Sequence, residues 1–226
     1  PETGDVLICD NDNVAPEGEN SGILGKARYM APEVVTGSKM PSKQTDRYSL
    51  SVVLFLLFYG NHPLEGARVL ACPCMTEAHE KLFYGSEPIF IYDADNKTNL
   101  PVRGVHNNVM RKWLRLPSVL RAAFTKEFSH ECLTKPDKRC LERDWQKTIQ
   151  KVRDMLVVCP QCKEETFVED VHSAKCVCCD KTFNVSGSLK INDRQILLTP
   201  NTKVYLDMDN KPDIHVVSVV GNRYPV

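Results

Sequence analysis

The most strongly apolar stretch of the chain runs from Leu50 to Tyr59, where Ser51 and the Tyr59 hydroxyl are the only polar interruptions. Apolar residues fall on every side of a 3.6-residue wheel, so the pattern predicts a helix buried all round. Ten residues reach about 15 Å, half of a ~30 Å hydrocarbon slab, which makes it a core helix and not a membrane span. Thr45 and Asp46 offer N-cap oxygens, Asp46 being the candidate cap, while Gly60 and Pro63 close the other end. A helix of this kind needs helices around it, so it is expected to be the hub of a mostly helical domain.

Weaker patterns flank it. Residues 4–9 read as a short strand ending at Asp10, followed by a carboxylate-rich turn, and Ala15–Gly25 reads as a polar loop. Thr76–Tyr84 is a short helix candidate, Pro88–Tyr92 a buried extended segment, and Asp93–Pro101 a polar loop. Pro117 suits the first turn of a helix whose stripe is Val119, Leu120, Ala123, Phe124 and Phe128. A second stripe follows in Leu141, Trp145, Ile149, Val152 and Leu156. Both are expected to cover the hub, with Trp113 and Trp145 as core anchors.

The pattern changes at Val157. Cys159-Pro-Gln-Cys162 is followed by Cys176-Val-Cys-Cys179, two Cys-x-x-Cys knuckles whose turns each point two thiolates to one side. Strands after each knuckle, at Thr166–Val168 and Thr182–Val185, complete the outline of a zinc ribbon. Four thiolates leave no open coordination position, so Cys159, Cys162, Cys176 and Cys179 are expected to hold a structural zinc. Lys163, Lys175 and Lys181 are near enough in sequence to offset its surplus negative charge. Cys178 is expected to point away. Cys72-Pro-Cys74 with His79 makes a poor tetrahedral set, and buried or idle thiols are the plainer reading there. Beyond the ribbon, alternating runs at 190–192, 195–198, 203–206 and 215–220 predict about four strands, with turns at Asn192-Asp193, Pro200-Asn201 and 209–212.

Several motifs in the first half fall in a telling order. Tyr29-Met-Ala-Pro-Glu33 resembles the Ala-Pro-Glu box that ends the activation segment of protein kinases, and Asp46-Arg-Tyr-Ser-Leu50 resembles the start of their central buried helix. Val6–Asp12 stands where that family has a strand and an Asp-Phe-Gly turn, and Pro136-Asp-Lys-Arg139 resembles its late arginine. The chain thus resembles the C-terminal lobe of a bacterial Ser/Thr protein kinase. The resemblance implies that Asp10, with Asp12 beside it, binds magnesium and ATP in the full-length protein. It also implies that Glu33 pairs with Arg139. Ser21 is the one hydroxyl of the loop before Tyr29 and so the candidate there for phosphorylation, a solvated serine being the plainer reading. Asn11, Asp12 and Lys26 depart from the family pattern, which leaves a non-catalytic scaffold, docking a partner through the ribbon and β tail, as the alternative. The expected architecture is α+β: a partial kinase lobe over 1–156, a zinc ribbon over 157–186, and a β extension over 187–226.

Composition narrows the surroundings. Basic and acidic residues balance at 29 each, giving no argument for nucleic acid or an anionic membrane. Most of the ten cysteines make a poor disulfide framework, so reduced thiols and a cytoplasmic setting are expected. A glycine-rich loop, a strand lysine and a catalytic His-Arg-Asp loop would all precede Asp10, and none is present. The piece alone is therefore expected to be inactive, with a protein substrate or docking partner for the whole, and self-association through a surface left uncovered.

Overall fold

The computed structural model describes residues 14–17, 19, 22, 25–192, 194–199, 203–204 and 214–215. Asp10, Asp12, Ser21, the 4–9 run and the tail segments at 205–206 and 216–220 lie outside the described residues. What is described is mixed α+β, and it packs as two units.

The first unit comprises the described residues up to 114 and residues 121–142. Its helices are α1 (Pro32–Val35), α2 (Lys43–Tyr59), α3 (Ala67–Leu70), α4 (Glu77–Glu80), α5 (Asn107–Arg115), α6 (Ser118–Glu127) and α7 (His130–Thr134), with the ends of α5 and α6 shared with the second unit. The expected helix at 76–84 is α4 continued by a wider π turn over Lys81–Ser86. Helix α5 was not foreseen, although Val109, Met110 and Trp113 fall at helical spacing.

Helix α2 is the longest, and Phe55 is its focal residue. The Phe55 ring lies 4.7 Å from Tyr59, 5.1 Å from Phe124, 5.6 Å from Phe90 and 5.9 Å from Phe128, centroid to centroid. Most of these pairs are edge-on, the arrangement that sets a positive ring edge against a negative face. Trp113 anchors the same cluster, stacked on Tyr92 at 4.1 Å and 5.2 Å from Tyr59. Thus Phe124 of α6 and Phe128 just beyond its end do cover the hub.

Two features of α2 differ from expectation. Its N-cap is Ser42, not Asp46, which is exposed within the first turn. Thr45 reaches back, accepting from the Ser42 N–H at 2.8 Å and donating to the Ser42 carbonyl at 2.7 Å. A threonine three residues into the helix can make this return contact, so Asp46 is not needed as a cap. The helix is also not buried all round: Leu50, Val53 and Leu57 are 37%, 51% and 72% exposed. Hydropathy says that a face is suited to burial, and only a neighbouring element can bury it. Gly60 closes the helix as expected, with φ +69° and its N–H donating to Leu56 at 2.8 Å.

Between the hub and α5, Asn99 staples three segments. Its side-chain N–H groups donate to the Leu64 and Ile89 carbonyls at 2.8 and 2.7 Å, and its oxygen accepts from the Arg68 N–H at 3.1 Å. Phe90 and Ile91 are buried as foreseen, and the Ile91 N–H donates to Pro63 at 2.9 Å.

The second unit comprises residues 115–120 and those described from 143 onward, so most of α8 (Glu142–Asp154) groups with the cysteine-bearing segment. Trp145 and Val152 are buried, but Leu156 has left the helix. It begins β1 (Leu156–Val158), which pairs antiparallel with β2 (Glu165–Phe167). A second hairpin joins β3 (Gly187–Ile191) to β4 (Arg194–Leu198), and β5 (Lys203–Val204) pairs with β6 (Ile214–His215). Val157, Val168, Ala174 and Leu197 form a small core, with Val171, Phe183 and Val185 against it. Arg194 on β4 grips Asp154 at the end of α8 through a fork at 2.7 and 2.8 Å. Among the described residues no helix is long and apolar enough to cross a membrane.

Candidate functional site

The four cysteines of the two knuckles come together, with all four sulfurs within 4.8 Å of one another. The two knuckles are built alike. Cys159 accepts from the Lys163 N–H at 3.0 Å while its own N–H donates to Glu164 at 2.9 Å. In the second, Cys176 accepts from Asp180 at 3.0 Å and donates to Lys181 at 3.0 Å. The residue after each pair turns left-handed, Lys163 at φ +65° and Asp180 at φ +58°, which folds the chain back over the thiols. Side chains rarely take that conformation, and here the turn of the knuckle requires it.

The sulfurs of Cys159 and Cys179 stand 3.8 Å apart and those of Cys162 and Cys176 3.6 Å apart. Four sulfurs each about 2.3 Å from a central zinc would sit about 3.8 Å apart along the edges of a tetrahedron. The tetrad therefore has the dimensions to hold a metal ion and is compatible with zinc. Burial opposes ionisation of Cys176, but the N–H groups of Cys179 and Cys178 and the neighbouring thiols outweigh it and draw that thiol down to about 6. At Cys162 the Glu164 backbone favours the thiolate, yet burial and the adjacent thiols prevail and push it up to about 12. Close-packed thiols oppose one another's ionisation, and a bound cation would favour all four thiolates together. Cys178 is exposed and its side chain is not in the tetrad, as expected, although its N–H donates to the Cys176 sulfur at 3.3 Å. Of the three flanking lysines, Lys175 pairs with Asp180 at 3.3 Å. The Cys72 sulfur bonds the Cys74 carbonyl at 3.1 Å, and the tetrad is the metal-capable cluster among the described residues.

In the helical unit, Arg139 and Glu33 meet. The guanidinium donates to the two Glu33 oxygens at 2.8 and 2.7 Å, a two-pronged fork across 106 positions of sequence. Arg139 also donates to the Gln44 carbonyl at 3.0 Å and the Cys132 carbonyl at 3.3 Å, and lies 5.4 Å over the Tyr48 ring. Helix α1, which starts at Pro32, is thereby fixed to the loop that follows α7. Lys26 is exposed at the start of a short 3₁₀ turn, Ala27–Tyr29.

A second polar network escaped the sequence reading. Glu65 accepts from Arg28 at 2.9 Å and from the Tyr84 hydroxyl at 2.8 Å. Beside it His62 is wholly buried, and its Nδ1 accepts from the Leu64 N–H at 3.2 Å. The other ring nitrogen must then carry the hydrogen, which it gives to the Arg28 carbonyl at 2.8 Å. Burial holds this imidazole neutral, lowering its pKa to about 4 against the opposing pull of Glu65. The one available signal was a histidine placed just after the glycine that ends α2. Glu127 was missed as well: it is buried, accepts from the Cys140 N–H at 2.6 Å, and lies 3.0 Å from the Ser51 hydroxyl. Burial raises its pKa, and the bonds from Cys140 and Ser51 only partly offset that.

No protein-family model, no curated protein and no solved structure matches this chain.

Proposed function

We propose that the helical half of this chain is the C-terminal lobe of a Ser/Thr protein kinase and that the cysteine tetrad holds a structural zinc. The observation that carries the kinase reading is the fork between Glu33 and Arg139, which ties an Ala-Pro-Glu helix to a late arginine beside a long aromatic-rich helix. Each element stands in the family's order. The parent activity is transfer of the ATP γ-phosphoryl group to protein Ser or Thr, which depends on positioning and charge neutralisation by many parts at once. Asp10 and Asp12 are the residues that would meet magnesium, and they lie outside the described residues. On this reading the chain by itself is inactive, the phosphoryl transfer belonging to the parent kinase.

Two measurements test the reading. The coding sequence upstream of Pro1 should specify a catalytic loop with an Asp and, five residues later, an Asn. A loop lacking both would replace the enzyme with a non-catalytic scaffold that docks a partner protein through the ribbon and β tail, the outcome that Asn11, Asp12 and Lys26 favour. Phosphoryl transfer by the 226-residue chain alone would overturn the proposed division of labour. For the tetrad, elemental mass spectrometry should find one zinc per chain, lost in Cys176→Ser. Structural zinc contributes on the order of 10 kcal/mol to such small sites, so chelation should unfold the β1–β2 region. A metal-free chain that keeps its hairpins would sink the zinc assignment.

A further inference from the structure

Helix α6 begins without a local side-chain cap. The residue before Ser118 is Pro117, whose side chain has no oxygen to accept from the N–H groups of a first turn. The acceptor comes instead from 51 positions away. Glu169 takes the Ser118 N–H on one carboxylate oxygen at 2.6 Å and the Ser118 hydroxyl on the other at 2.5 Å. A carboxylate suits that place, because the first turn of a helix carries a partial positive charge. Residues 115–120 group with the cysteine-bearing segment, as a cap of this origin would have it.

Glu169 stands midway between the knuckles, seven residues from Cys162 and seven from Cys176, and it is held from both sides. Before it, Val168 is buried in the small core and its N–H donates to Met155 at 2.9 Å. Strand β2 is in turn tied to the second knuckle. Thr166 is wholly buried, and its hydroxyl oxygen accepts at 3.0 Å from the N–H of Val177, the residue after Cys176. Beyond Glu169, Asp170 accepts from the His172 N–H and the Ser173 hydroxyl, each at 2.9 Å, turning the chain towards Cys176. The place of the Glu169 carboxylate thus depends on the two knuckles staying together.

We propose that Glu169 is a metal-linked latch, through which occupancy of the cysteine tetrad sets how firmly the start of α6 is capped. Whatever clips the knuckles together also fixes the carboxylate on Ser118, and a capped α6 in turn favours the clipped form. Linkage makes the two effects equal in size. A single helix cap is worth about a fivefold change in equilibrium. Loss of metal would then be felt as loosening at the start of the helix that carries Phe124. The latch rests on the zinc reading of the tetrad and is independent of the kinase reading.

Two measurements on the full chain test it: zinc affinity by competition with a chromophoric chelator, and amide hydrogen exchange over residues 118–121 with and without zinc. Zinc should slow that exchange about fivefold. Glu169→Ala should abolish the difference and lower zinc affinity by about the same factor. Ser118→Ala keeps the N–H and loses the hydroxyl, so it should weaken zinc less, and should add nothing once Glu169→Ala is present. Glu165→Ala removes another exposed carboxylate of the same segment and should leave zinc affinity unchanged, which separates the latch from a general effect of charge. Normal zinc uptake with an affinity that ignores Glu169→Ala overturns the latch and leaves the zinc reading standing, as does an equal loss from Glu165→Ala. A chain that takes up no zinc overturns both.

Discussion

Replacing Arg139 with methionine isolates the energy of the fork while keeping much of the side chain's bulk. The Arg139 side chain is fully buried and that of Glu33 is 11% exposed, so water cannot easily take over either role. Arg139→Met leaves the Glu33 carboxylate without its cation, and breaking a buried pair in this way costs about 3–5 kcal/mol. It also strips a donor from the Gln44 and Cys132 carbonyls, each worth about 1 kcal/mol, and removes the cation from the Tyr48 face. Against a typical stability of about 5–15 kcal/mol, that is a large fraction of the whole. Glu33→Gln keeps an acceptor and should cost about 1–3 kcal/mol. The double variant Glu33→Gln/Arg139→Met removes the stranded charge, so it should be less damaging than the two single losses added together, by about 1–3 kcal/mol. Urea titrations followed by the helical circular dichroism signal give all three values. A loss under about 1 kcal/mol for Arg139→Met, or strict additivity in the cycle, would refute the reasoning that burial makes this pair matter.

Other expectations follow from single contacts. A Cβ on Gly66 would lie 1.9 Å from the Asn99 carbonyl oxygen, so Gly66→Ala must displace backbone and the Asn99 staple, and should lower stability by about 1–3 kcal/mol or more in the same titration. His62 binds its proton less readily in the folded state, about 4 against 6.5 in the open chain, so its contribution is present above pH 6.5 and lost as pH falls towards 4. His62→Asn should therefore flatten the fall in melting temperature across that window, and an unchanged slope would show that His62 is not the group responsible. Glu127 has the opposite sign: its raised pKa favours the fold in acid and the benefit is lost as pH climbs through that value. Glu127→Gln should accordingly cost little at neutral pH, and a loss of several kcal/mol would mean that the carboxylate works in its charged form.

Much of this protein is written locally. The Cys-x-x-Cys spacings sufficed to foresee the tetrad, because a knuckle is a property of a few consecutive residues and needs no distant neighbour. The Leu50–Tyr59 run announced the hub, and Gly60 its end, for the same reason: helical period and a left-handed cap are short-range matters. The meeting of Glu33 with Arg139 was foreseen from motif order, not from physics along the chain. Other features were settled only when the chain folded. Whether Ser42 or Asp46 capped α2 depended on which carbonyl and amide Thr45 could reach. His62, Glu127 and Asn99 became significant because segments far apart in sequence removed water from them and supplied their partners. The exposed line of Leu50, Val53 and Leu57 makes the same point in reverse. Its residues declare an affinity for burial, and the tertiary arrangement alone determines which of them are covered, since hydrophobicity has magnitude but no direction.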